Sequence, residues 1–368
     1  MNIVEATDAY EAWMGRHTSI VQDDLKEKHK LIAESPFVFL RGTFYRWVQI
    51  FPTICASLAE APAVLAVGDL HVENFGTWRD AEGRLVWGVN DLDEASLLPY
   101  TSDLVRLATS AVLATEEDHI TLSVRKICSS ILDGYAASLD RGGRPFVLAE
   151  RHEWLRQLAI HELTRDPTKF WKKIGDNPEA SDVPKAVVDL LDMPVDSTDL
   201  SLFRRQAGVG SLGRPRFVAR AVQDGGFIAR EAKAIVPPAG AWVAATQGGK
   251  SNSLELSRRA VRAPDPFFDA NAHWSVRRLS PECLKIEVTD LPGSRDDGKL
   301  LRAMGWETAN IHLGTKKMAA RKDLAGRTGR WLEKATRDMV DATISEQREW
   351  RKHRRRARRK KGASRRHE

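Results

Sequence analysis

Seven side chains able to do acid–base or metal chemistry crowd into two short stretches. AVGDLHVENFGTW (66–78) holds Asp69, His71, Glu73 and Asn74, and VWGVNDLDEA (86–95) holds Asp91, Asp93 and Glu94. Asp69 and Asn74 follow Gly68, which lets the backbone bend. Phosphoryl transfer from ATP asks for such a set. One carboxylate orients or deprotonates an acceptor hydroxyl, while an Asn and an Asp hold magnesium against the phosphates. Asp69, Asn74 and Asp91 supply these groups, and hard oxygen ligands suit Mg2+ or Mn2+ rather than zinc. Asp93 reads as a second metal ligand or as an acceptor for turn backbone. His71 joins Asp69 in the candidate catalytic set, where it would orient Asp69, contact substrate or pack beneath the loop. Asp103 opens a helical pattern and reads as a cap that braces the first turn. The competing reading is a pair of surface turns capped by Asn and Asp.

A third feature lies far along the chain. GVGSLG (208–213) has the spacing G-x-G-x-x-G, with Gly208, Gly210, Ser211 and Gly213 as candidate nucleotide contacts. A dinucleotide fingerprint opens a helix. Here RPRFVARAV follows, alternating and β-branched, so the pattern reads as strand, turn, strand over phosphates. A glycine-rich hairpin with no ligand is the alternative. The next strand, FIAREAKA, should deliver a cation to the phosphates. Lys233 is preferred to Arg230, whose parity is opposite, because a compact ammonium suits the role. Glu255, on the following helix, is the expected carboxylate partner of Lys233, unless the two are ordinary surface charges.

The elements that would position these groups change character along the chain. Residues 6–33 read as a helical lead-in, and SPFVFLRGTFYRWVQIF (35–51) is apolar apart from an interruption at Arg41 and Gly42. PAVLAV (62–67) and RLVWGV (84–89) read as adjacent strands carrying the acidic turns at their ends. TSDLVRLATSAVLA (101–114), residues 119–139 and residues 145–170 read as helices. A polar, Pro-containing stretch at 171–200 marks a boundary. Beyond it come five expected strands, at 201–207, 216–222, 227–234, 274–280 and 283–288, with a helix at 252–263 after the third. Helix returns at 297–315 and 324–348.

Composition sets the outer bounds. The chain has 368 residues, of which 42% are hydrophobic. That is enough for one large core or two moderate ones. No apolar run approaches the roughly eighteen residues of a bilayer helix. The N-terminus carries no basic-then-apolar leader pattern, and Cys55, Cys128 and Cys283 are too scattered for a disulfide framework or zinc site. A cytoplasmic location is therefore expected. The net charge of +7 is misleading, since residues 351–368 hold eleven of the 57 Lys and Arg and one of the 50 acids. The remainder carries 46 basic and 49 acidic side chains, a net of −3. The tail reads as a disordered basic segment able to contact nucleic acid or an anionic surface nonspecifically.

Taken together, SPFVFLRG (35–42), GDLHVENFG (68–76), NDLDEA (90–95), SDLVRLATS (102–110), GVGSLG (208–213) and REAKA (230–234) resemble the bacterial DUF2252 family. That family is similar to protein-kinase-like folds, near the aminoglycoside and choline phosphotransferases. The resemblance implies an α+β, two-lobe kinase-like fold. Asp69 would take the catalytic position, Asn74 and Asp91 the metal positions, Asp103 a structural position and Lys233 the nucleotide position. Val67 stands where those enzymes often have His or Gly. The order is circularly permuted, because the glycines follow the catalytic loop. The implied division is a mainly helical catalytic lobe at 1–190, a β-rich nucleotide lobe at 201–290 and helices returning at 291–350. The expected activity is ATP- and Mg2+-dependent phosphate transfer to a hydroxyl acceptor. AMP transfer by the same site, or a catalytically silent kinase-like binder, are the alternatives.

Overall fold

The computed structural model describes residues 1–115, 120–148, 151–163, 166–196, 199–245, 251–283, 297–315 and 317–364. Helix α1 (Ile3–Met14) starts with a capping box: Asn2 accepts from the Val4 and Glu5 amides, and Glu5 reaches back to the Asn2 amide. Helix α2 (Gln22–Leu31) follows. The apolar 35–51 stretch is two helices, α3 (Pro36–Gly42) and α4 (Phe44–Ile54), broken at Thr43 where φ is −130° and ψ is 41°. After the single turn α5 (Ala56–Ala59) come β1 (Ala63–Ala66), β2 (Phe75–Arg79), β3 (Leu85–Val89) and β4 (Ser96–Pro99).

The expected neighbours β1 and β3 do not pair. Strand β1 runs antiparallel to β4, while β2 forms the hairpin with β3 and β3 also takes β5 (Phe146–Val147). The missing partner is FGTWR, which starts directly after Asn74 and leaves the first acidic turn too short to span two strands. The second turn connects β3 to β4, so both acidic turns link these two small sheets.

The helices α6 (Tyr100–Thr115) and α7 (Val124–Arg141) lie where apolar periodicity puts them. Then follow α8 (Glu153–Leu163), α9 (Pro167–Gly175) and α10 (Lys185–Leu191). The second β region contains β6 (Ser201–Arg204), β7 (Arg216–Gln223) and β8 (Gly226–Ala234). Two short helices, α11 (Ala239–Val243) and α12 (Ser253–Arg259), precede β9 (Asp269–Ala270) and β10 (Trp274–Leu279). These strands make an antiparallel five-stranded sheet in the order β6-β7-β8-β10-β9. The fifth strand is β9, at the edge beside β10; most of the strand expected at 283–288 lies outside the described residues.

Val187 and Leu191 of α10 pack on Phe217, Ala219, Ala232 and Val276 on one face of this sheet. Ile174 of α9 packs on Phe203, Val218, Ala229 and Leu279 on the other. Helix α12, which follows the third strand of the sheet, sends Leu256 into the main core. That core runs from Tyr10 through α4, α6 and α7 to the closing helices α13 (Asp297–His312), α14 (Lys317–Gly326) and α15 (Trp331–Ser364). Helices α7 and α13 touch backbone to backbone. A Cβ on Gly134 would stand 1.8 Å from the Arg302 carbonyl oxygen, and one on Gly305 would stand 2.1 Å from that of Ile131.

The architecture is mixed α+β, with many helices and small antiparallel sheets. The basic segment expected to be disordered is helical as far as Ser364, as the end of the 34-residue α15. Met339 and Trp350 anchor the part of it that precedes the basic run in buried clusters. Arg and Lys are good helix formers, and no Pro interrupts the run, so the anchored helix propagates outward. Among the described residues no helix is long and apolar enough to cross a membrane.

Candidate active site

The first acidic turn is built by α6. Asp103 is fully buried and accepts the backbone amides of Val67 at 2.8 Å and Gly68 at 3.0 Å. Its Oδ2 also lies 3.1 Å from His312 Nε2, whose Nδ1 is 2.8 Å from the Tyr135 hydroxyl. A chain of side chains from α6, α13 and α7 thus sets the direction of the backbone at Gly68. Gly68 itself has φ of +84°, and an added Cβ would meet the Glu94 carbonyl oxygen at 2.6 Å. Only glycine fits there.

Beyond this bend Asp69 projects inward and meets Arg106. The guanidinium Nε donates to Asp69 Oδ1 at 3.0 Å, and Nη2 bonds both that oxygen and the Leu40 carbonyl. Arg106 is 1% exposed and lies over the Phe44 and Trp47 rings at 4.9 and 5.0 Å. Burial pushes the Asp69 carboxyl above its usual range; Arg106 opposes this, and Asp91 adds to it. Asp69 Oδ2 faces the glycine turn, 3.3 Å from where a Gly210 Cβ would stand.

Asn74 Nδ2 donates to the Asp69 carbonyl at 2.7 Å, which fixes the amide plane. Its buried Oδ1 has no hydrogen-bond partner among the described residues. The Asn90 amide donates to the Asn74 carbonyl at 3.0 Å and ties the second acidic turn to the first. His71 caps the 3₁₀ turn Val72–Asn74, its Nδ1 accepting the Glu73 amide at 3.2 Å, so the neutral ring carries its proton on Nε2. Glu73 is ion-paired with Arg41 at 2.6 Å.

The two cations of strand β8 have different surroundings. Lys233 Nζ donates to Asp91 Oδ1 at 3.1 Å and stands 2.7 Å from Asp93 Oδ2. Arg230 has the opposite parity and donates to the Leu191 carbonyl at the end of α10. Glu255, the expected partner of Lys233, is instead paired with Arg259 one turn along α12, with both side chains half exposed. The reason is spacing: a Glu at i and an Arg at i+4 meet on a helix surface. The buried carboxylate of this sheet is Glu231, held by Arg205, Arg216 and Arg277. Burial opposes its ionisation, but the three guanidinium groups keep it well below the usual carboxylate range.

The glycine-rich segment joins the antiparallel strands β6 and β7, as the strand–turn–strand reading expects. Val209–Ser211 is a 3₁₀ turn, and Gly208 and Gly213 have φ of +74° and +97°. The turn lies directly on the acids. Gly208, Gly210 and Ser211 line the same cleft as Asp69, His71, Asn74, Asp91 and Asp93, whereas Gly213 packs near Leu25 outside it. Three cations not singled out from the sequence complete this cleft. Lys28 is 2% exposed, with Nζ 3.4 Å from the Gly210 carbonyl, and burial lowers its pKa to about 8. Arg214 lies 3.5 Å from Asp93, and Arg41 holds Glu73. Glu94 accepts the Ala239 amide at 2.8 Å, and burial raises its pKa to about 7.

Arg106 is a functional candidate that sequence reading passed over. The signal was an arginine within the apolar run SDLVRLATSAVLA, where every side chain from Tyr100 to Ala114 is buried. An unpaired arginine would be intolerable there, so a carboxylate partner was implied.

Among the described residues no group of three or more His, Cys, Asp or Glu forms a cage for a metal ion. A magnesium that also binds phosphates needs only one or two protein oxygens. Asn74 Oδ1 and the partly exposed Asp91 carboxylate fit that smaller demand.

No curated protein and no solved structure matches the chain. The glycine turn and Lys233 lie beyond the segment that a family model matches. That segment, residues 20–172, holds both acidic turns and the Arg106 helix and matches the family described as "Uncharacterized protein conserved in bacteria (DUF2252)".

Proposed function

We propose that the cleft is the site of a kinase-like phosphotransferase that moves the γ-phosphate of ATP to a hydroxyl acceptor, with Mg2+ or Mn2+. One observation carries this reading: two acidic turns and a glycine turn distant in sequence line one cleft, beside a lysine held on Asp91 and Asp93. The kinase-like, permuted two-lobe arrangement is part of the same proposal. Asp69 takes the acceptor's hydroxyl proton on Oδ2, while Oδ1 stays fixed by Arg106. The acceptor oxygen bonds to the γ-phosphorus, the bond from that phosphorus to the β–γ bridging oxygen breaks, and ADP leaves with the electron pair. Burial raises the proton affinity of Asp69, which favours its use as a base. Asn74 Oδ1 and Asp91 would hold the metal ion, which when bound supplies charge neutralisation at the phosphates. Lys233 would exchange its carboxylate partners for phosphate oxygens, and Lys28, Arg41 and Arg214 add positive charge to the same walls.

The reading also carries a structural demand. The cleft encloses about 50 Å³. A small-molecule site takes about 300 Å³ or more. The Gly208–Ser211 turn must therefore lift off Asp69 before a nucleotide enters. The paired acids of this closed form equally suit a silent nucleotide-binding protein, and turnover separates the two.

Isotope-labelled ATP offered with Mg2+ tests the proposal. Label transferred from the γ position supports phosphate transfer, and label transferred from the α position would mean AMP transfer. Asp69→Asn should keep nucleotide affinity while turnover falls by roughly 10²-fold or more. Asp91→Ala should weaken Mg2+-dependent nucleotide binding as well. Failure to bind ATP at millimolar concentration would overturn the reading.

A further inference from the structure

A second cavity, of about 340 Å³, shares no lining residue with the cleft. It opens between the end of α7, the start of α8 and one face of α13. Lys299, Arg302, Ala303 and Trp306 recur there at helical spacing and turn the same side of α13 toward it. Phe146, Trp154 and Trp306 supply the aromatic wall. The cations Arg141, Arg144, Arg151, Lys299 and Arg302 stand around it, and no acidic residue is among the described residues of the lining.

Among the described residues, Arg141, Arg144 and Arg151 form no ion pair with a carboxylate. Arg302 approaches Asp133 only at 4.0 Å, where both side chains are half exposed. The aromatic rings hold two of the cations in place, with Lys299 4.8 Å from the centre of Trp154 and Arg141 5.7 Å from that of Trp306. His152 completes the lining beside Phe146, their rings 4.9 Å apart. Burial, reinforced by Arg144 and Arg151, lowers its proton affinity, as a positive local field requires.

We propose that this cavity binds a nucleoside phosphate, the planar base against the Trp154–Trp306–Phe146 wall and the phosphate among the Arg and Lys side chains. The volume falls in the range of small-molecule sites, roughly 300–1,000 Å³. Several facing cations call for more than one negative charge, and the guanidinium fork matches phosphate oxygens. Flat aromatic walls among arginines suit a base, since every base has a face to stack. The same chemistry is presented by a free mononucleotide and by one nucleotide of a single strand.

Titration calorimetry without magnesium tests the site, using AMP, adenosine, inorganic phosphate and a short oligoadenylate on the full chain. AMP should bind with a Kd between about 10⁻⁵ and 10⁻³ M. Adenosine and phosphate should each bind more weakly. The exposed pair Lys299→Glu/Arg302→Glu should weaken AMP by about 10-fold or more, equivalent to about 1.4 kcal/mol. Trp154→Ala should weaken AMP but not phosphate. An oligoadenylate at least roughly 10-fold tighter than AMP identifies a single strand as the source, and equal affinity identifies the mononucleotide. The proposal is overturned if AMP does not bind at about 1 mM. It is equally overturned if phosphate matches AMP, if the double variant binds normally, or if only Lys233→Ala, in the cleft, removes the signal.

Discussion

Arg106→Met is the substitution that bears most directly on how the cleft is held. It replaces a side chain that is 1% exposed by an apolar one of similar length. Two consequences follow inside the same small volume. Asp69 loses the guanidinium that bonds Oδ1, and the Leu40 carbonyl loses a 2.7 Å donor. Removing one partner of a buried pair costs about 3–5 kcal/mol, because the remaining charge is left uncompensated. An orphaned buried acceptor costs about 1–3 kcal/mol. The two penalties overlap, and the methionine recovers some packing on Phe44 and Trp47, so the net loss should be about 4 kcal/mol. That is a large fraction of the roughly 5–15 kcal/mol of an ordinary domain. Asp69→Asn in the same background removes the stranded carboxylate. The double variant should therefore be more stable than the sum of the single losses by about 2 kcal/mol. Urea unfolding of the four proteins, followed by far-UV circular dichroism and tryptophan fluorescence, measures all four corners. A loss below about 1 kcal/mol for Arg106→Met, or an additive cycle, would show that the pair does not bind the turn to α6.

Other expectations follow from single contacts. Gly134→Ala should destabilise by about 2 kcal/mol or more although helix propensity alone predicts a gain of about 1 kcal/mol, because its Cβ would stand 1.8 Å from the Arg302 carbonyl; urea unfolding gives the sign. Gly68→Ala combines a φ of +84° with a backbone clash and should cost about 2 kcal/mol or more, read in the same assay. Glu307 is 1% exposed, and burial raises its carboxyl from 4.5 to about 7. Below pH 4.5 both folded and unfolded forms are protonated; between 4.5 and about 7 the unfolded chain gives up its proton first, so this residue makes stability fall as pH rises. Glu307→Gln should remove on the order of 3 kcal/mol of that fall, measurable by comparing unfolding at acid and neutral pH. Glu255→Ala, on an exposed pair, should leave both stability and nucleotide affinity within about 0.5 kcal/mol of the parent.

The parts of the fold that could be read from the sequence are those with a strong local period. FIAREAKA and RFVARAV alternate, and they pair as β8 and β7 with Arg216 opposite Lys233. TSDLVRLATSAVLA repeats at helical spacing and is α6. Asp103 reads as a brace for the Gly68 bend, and its carboxylate accepts both neighbouring amides. What escaped depends on partners distant in sequence. The pairing of β1 with β4 leaves no trace in either segment, since both are short and apolar. Glu255 was assigned by its place after β8, but Asp91 and Asp93 reach Lys233 from a loop more than a hundred residues earlier. Composition suggested disorder for the basic segment, whereas it continues a helix that Met339 and Trp350 anchor in buried clusters. The cations Lys28, Arg41, Arg106 and Arg214 escaped because charge is ordinarily taken for surface. Here it balances acids that the fold gathers from separate loops.

The brace behind Gly68 has a consequence for how the chain comes into being. His312 lies 209 residues after Asp103, the group it contacts. At translation speeds of about 5–20 residues per second, that gap is roughly 10–40 s. During that interval a nascent chain holds both acidic turns, yet α6 and α7 lack the α13 and α15 surfaces that bury them. Asp103 has no imidazole, and Gly134 has no helix against it. The N-terminal half therefore cannot settle as a finished unit while the ribosome is still making the rest. Its apolar helices stay open to chaperones until the closing helices arrive. A stop anywhere before α13 should yield a product that is held or degraded, not a smaller working protein.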